Sequence, residues 1–146
     1  MKNLILILFV AFVSATTFAQ SPKNINLKNK VAIQGYDPVA YFESSKAAKG
    51  KKEITAEYDA AIYYFSSQNN KALFLKNPKQ YVPQFGGFCA YAMSEGKKAP
   101  ILPEAFTIVD NKLYLNYNLD VKELWLKEQS VRIEKAIVNW EKIQND

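Results

Sequence analysis

"EITAEYDAAIYYFSS", residues Glu53–Ser67, alternates apolar and polar side chains on both sides of Asp59-Ala60. A period of two over this length is the mark of a half-buried strand. Asp59-Ala60 falls where the chain must reverse, so the stretch predicts a β-hairpin, although Asp-Ala is a poorer turn than Asn-Gly.

Downstream, "SSQNNKALFLKNP" (Ser66–Pro78) predicts a short helix. Ser66 or Ser67 can cap it, and Asn77-Pro78 ends it. "EAFTIVDNKLYLNYN" (Glu104–Asn118) predicts a second hairpin turning at Asp110-Asn111. In it Leu113, Leu115 and Tyr117 share one face and Tyr114 takes the other. Two helices close the chain. Asn118 can cap the first, along which Val121, Leu124 and Trp125 recur. Ser130 can cap the second, where Ile133, Ala136, Ile137 and Trp140 form an amphipathic stripe. Both tryptophans are expected as core anchors.

Upstream, "VAIQGYDPVAYF" (Val31–Phe42) holds two short apolar pieces around a turn at Gly35 and Asp37-Pro38. Residues 20–30 are polar apart from Ile25 and Leu27 and read as a flexible lead-in. The expected fold class is therefore α+β: a small antiparallel sheet of two hairpins, packed with short helices and two C-terminal helices.

The first residues, MKNLILILFVAFVSATTFAQ, place one lysine before an apolar run from Leu4 to Val13. Thr17 and Ala19 suit the −3 and −1 positions of a signal peptidase, which predicts a signal peptide over 1–19 and cleavage before Gln20. A run of about ten apolar residues is short for a bilayer, so no permanent membrane anchor is expected. The predicted location is periplasmic or extracellular. Residues 31–146 then form a single domain.

The chain of 146 residues has a formal net charge of +5, but acids interleave its basic residues. Nucleic-acid binding wants a basic stripe, so no nucleic-acid partner is expected. There is no histidine and one cysteine, Cys89. That excludes an internal disulfide and every histidine-based catalytic pair.

Three segments stand in order: "GYDPVAYF" (Gly35–Phe42), "YYFSSQNNKALFLKNPKQY" (Tyr63–Tyr81) and "GGFCAYAMSEGKK" (Gly86–Lys98), followed by "KLYLNYN" (Lys112–Asn118). Together they resemble the YHS-domain family in its small exported, single-domain form. Metal-associated relatives of that family have a cysteine after Asp-Pro-Val and a Cys-x-x-x-Cys pair after the Tyr-Tyr-Phe strand. Here those positions are Ala40, Ser66 and Asn70. A closed zinc site wants about four Cys or His ligands, so no metal is expected there.

Cys89 leaves three readings open. With Met93 one helical turn on, it can hold Cu(I), which prefers soft ligands. Near Lys97 and Lys98 or a helix start, it can act as a redox thiol. Shielded by Phe85, Phe88 and Tyr91, it is a small buried hydrophobe, which suits a lone thiol in an oxidising compartment.

The adopted reading is a non-catalytic binding or interaction module without a cofactor. Its partner is a small molecule or an envelope protein. The candidate ligand-binding residues are Tyr36, Asp37, Pro38 and Tyr41 from the first segment, and Gly86, Gly87, Phe88, Cys89, Tyr91 and Lys97 from the third. A thiol-dependent role through Cys89, in copper handling or redox, is the alternative.

Overall fold

The hairpin expected at Glu53–Ser67 is built from β3 (Lys51–Tyr58) and β4 (Ala61–Phe65). The structure is a computed structural model and describes residues 24–145; the predicted signal peptide lies outside them. Asp59 and Ala60 have φ of 52° and 59°. Two successive left-handed residues make a turn whose twist matches that of the flanking strands. Asp110 and Asn111, at 49° and 58°, repeat the device between β5 (Leu102–Val109) and β6 (Lys112–Asn116).

The architecture is α+β with small sheets, and the two hairpins lie in separate sheets. The β3–β4 hairpin gains two short strands, β1 (Leu27–Lys28) and β2 (Val31–Ala32), in the order β1-β2-β4-β3. β2 runs parallel to β4 with Val31 opposite Ile62, which makes the sheet mixed rather than wholly antiparallel. Two-residue strands carry too little sequence for a period to show.

The short helices are α1 (Ala40–Glu43), α2 (Gln68–Lys76), α3 (Pro78–Tyr81) and α4 (Ala90–Ser94). The Ser67 hydroxyl accepts the Asn70 N–H and caps α2; Asn118 caps α5 (Leu119–Lys127) through the Val121 N–H. The last helix, α6 (Gln129–Asn145), begins before Ser130. Its first turn is tied by the Arg132 N–H to the Glu128 carbonyl at 2.9 Å, so Ser130 is not its cap. Leu124 and Ile137, expected on inner faces, are exposed, while Trp125 and Ala136 are fully buried.

β6 divides the interior. Leu113 and Leu115 face a cluster with Tyr41, Phe65, Phe74 and Tyr81, whereas Tyr114 faces a second with Phe85, Met93, Trp125 and Ala136. The period-two alternation of one strand thus feeds two cores. Truncating a side chain such as Trp125 in a packed core of this kind costs about 3–5 kcal/mol.

The described part of the lead-in is docked. The Asn26 N–H donates to the Gly86 carbonyl at 2.8 Å, and the Asn26 amide donates to the Gly87 carbonyl at 3.0 Å. The Asn24 amide reaches the Gln144 carbonyl on α6 at 3.2 Å. Gly86, at φ +60°, is required by this crossing: a Cβ there would lie 1.9 Å from the Asn24 carbonyl oxygen.

Candidate functional site

Asp37 is fully buried, and its carboxylate organises the first motif. Oδ1 accepts the backbone N–H groups of Val39 and Ala40 at 2.9 and 3.3 Å, holding the turn into α1. Oδ2 accepts the Ser66 N–H at 2.8 Å, the Ser66 hydroxyl at 2.6 Å and the Asn70 amide at 2.7 Å. A buried carboxylate is tolerated only when its lone pairs are matched, and five donors do so here. The node bolts the turn before α1 to the end of β4 and the start of α2.

Ala40, Ser66 and Asn70 are the positions that the resemblance gives to metal-binding cysteines, and all three meet at this carboxylate. Their donor set does not fit a soft metal. Ala40 has no ligand atom, and the hydroxyl and amide are spent on Asp37.

Cys89 forms a second buried centre. It is 1 % exposed and stands at the N-cap of α4, where Sγ accepts the Ala92 N–H at 3.4 Å. The thiol points at Asn116 Oδ1, 3.7 Å away, and the same oxygen accepts the Tyr91 N–H at 3.1 Å. Asn116 Nδ2 is buried and has no hydrogen-bond partner among the described residues. Met93 lies one turn along α4 and is also fully buried.

The remaining candidates divide between these centres and the surface. Tyr36 donates its phenol to Glu104 at 2.6 Å, and that bond raises its pKa. Pro38 and Tyr41 are fully buried; the Tyr41 phenol donates to the Pro103 carbonyl at 3.0 Å. Burial pushes the Tyr41 pKa far up, with Glu104, Tyr36 and Asp37 adding to it. Gly87 is buried against the lead-in, and Phe88 lies under Lys98, whose Nζ is 5.5 Å from the ring centroid. Tyr91 carries the Arg132 guanidinium 3.8 Å above its ring, a tie between α4 and α6. Lys97 is exposed. Tyr41 and Cys89 share one hydrophobic cluster, so the two motifs do converge, but inside the core.

The main concavity lies elsewhere and has a volume of about 430 Å³. The tip of the β3–β4 hairpin contributes Tyr58, Asp59 and Tyr63. The loop before α4 contributes Val82, Pro83 and Gly86. Trp140 and Gln144 come from α6, and Asn24 and Ile25 from the lead-in. Of the ten candidate residues Gly86 alone is in this lining. Its aromatic walls are backed by other rings: Phe74 lies 6.0 Å from Tyr58 and 4.9 Å from Tyr63, and Phe85 lies 6.3 Å from Trp140. The sequence signal for the cleft is thin, because Trp140 and Ile25 read equally well as ordinary core.

Residues 39–85 match the family model of the YHS domain. The matched segment runs from the residue before α1 to Phe85. It includes Ser66 and Asn70 but neither Asp37 nor Cys89. No curated protein and no solved structure gives a significant match to the chain.

Proposed function

We propose that the protein is an exported, non-catalytic binding module of the periplasm or extracellular space. Its binding face is the cleft between the β3–β4 tip, Val82–Gly86 and the end of α6. One observation carries this reading: an aromatic-lined concavity of ligand size whose walls are held by a second layer of rings. A preformed pocket with few polar groups is what small-molecule sites use, and rigid walls lower the ordering cost of binding. Catalysis has no such support. The chain lacks histidine, and Asp37, its fully buried carboxylate, spends its lone pairs on structure. The thiol-dependent alternative needs Sγ to reach a partner, whereas Cys89 is buried and caps a helix.

A fragment screen read by ¹H–¹⁵N NMR tests the binding face. Binders should shift the amides of Tyr58, Asp59, Val82 and Gly86 together with the Trp140 indole. Shifts centred on Cys89 and Asn116, or no saturable shifts at the cleft, would overturn the reading.

A further inference from the structure

The cleft has a charge character opposite to that of the chain. The protein carries 19 Lys and Arg against 14 Asp and Glu, yet no lysine or arginine is in the cleft lining. Its one side chain charged at neutral pH is Asp59, whose backbone is fixed at φ 52° in the two-residue turn. Around that carboxylate stand the rings of Tyr58, Tyr63 and Trp140. Ring faces carry the negative lobe of a quadrupole and attract cations, and an acidic neighbour adds to this.

We infer that the ligand of this cleft is a compact organic cation: an ammonium or trimethylammonium group on a small apolar body. The inference rests on the cleft being the binding face and goes further by naming the chemistry. An ammonium entering the cleft exchanges water for three aromatic rings and one carboxylate. A carboxylate or phosphate ligand would meet the same groups as repulsion, with no basic side chain in the lining to receive it. The Tyr63 phenol already senses this field: its pKa is raised first by burial and next by Asp59. Ile25, Val82 and Pro83 supply the apolar surface for the ligand's body.

The test uses three probes of similar shape: choline, its neutral isostere 3,3-dimethylbutan-1-ol, and 3,3-dimethylbutanoate as the anion. Each is titrated into the ¹⁵N-labelled full chain. Choline should shift the Asp59 and Gly86 amides with a Kd at least about tenfold below that of the alcohol, and the anion should bind worst. Asp59→Asn keeps a residue that tolerates a left-handed backbone and should bring choline to within about threefold of the alcohol. Trp140→Leu should weaken choline about tenfold. Equal binding of choline and the alcohol, or preference for the anion, would overturn the ligand class and leave the binding face standing. If choline fails where neutral fragments still shift the cleft, the ligand class alone falls. If neither choline nor fragments shift it, both readings fall.

Discussion

Asp37 and Cys89 head two buried polar centres built to opposite rules. Around Asp37, five donors meet two carboxylate oxygens from three directions in the chain. Around Cys89, a weak sulfur acceptor and a shared amide oxygen carry the hydrogen bonding, and one amide nitrogen of Asn116 has no partner among the described residues. The first centre is a charged, saturated rivet. The second is a neutral packing site with modest polar demands. The contrast teaches that a solitary cysteine draws the eye in a sequence, while a carboxylate can carry more of the structure.

Removing the carboxylate should break that contrast most severely. Asp37→Ala leaves the Ser66 and Val39 N–H groups and the Asn70 amide without their acceptor. The expected loss is about 3–5 kcal/mol in urea unfolding. A loss under about 1 kcal/mol would mean that the node is not a rivet.

Alkaline pH probes the tyrosines packed beside these centres. Tyr41 and Tyr63 both have pKa values raised in the folded state, by burial first. Below pH about 10 both forms keep their phenolic protons and stability is unaffected. Above it the unfolded chain releases protons that the folded chain retains, so stability falls as pH rises. The fall should be about 1.4 kcal/mol per pH unit for each phenol. Melting temperatures from pH 7 to 11 should stay level to about pH 9 and then drop, and Tyr41→Phe should lessen the slope by one group.

The cysteine centre should respond least. Sequence alone suggests that Cys89→Ser costs more than Cys89→Ala, because a hydroxyl would enter an apolar setting. The N-cap position reverses that order. A serine oxygen can accept the Ala92 N–H and donate to Asn116, whereas alanine loses the cap, at about 1 kcal/mol. Native Cys89 should react with thiol reagents only on opening, and quickly once unfolded. Fast native labelling would raise the second centre from packing site to reactive one.

Much of the fold is legible in the sequence because it is local. Two hairpins with left-handed turn residues, the Ser67 and Asn118 caps and the Ala136 stripe all follow from short-range pattern. The parallel pairing of Val31 with Ile62 is not, since two-residue strands have no period and their partner lies 31 positions away. The candidate site is legible only in part. Gly35–Phe42 and Gly86–Lys98 stand out by composition, and each holds structure together for a reason that composition does not show. Asp37 reads as a turn former, yet its bonds run to β4 and α2. The cleft joins Ile25, Tyr58, Val82 and Trp140, none of which is remarkable beside its own neighbours in the chain.

Asn24 bonded to Gln144 brings the two sides of the described chain to one rim of the cleft. Anything attached beyond either residue, whether a tag or a fused domain, is tethered to that rim. A short flexible tether holds its load at an effective concentration in the millimolar range. A basic tail placed there becomes an intramolecular competitor, able to hide a free cation whose own Kd is millimolar. The apparent affinity of the cleft is therefore a property of the chain on both sides of it as well as of its walls.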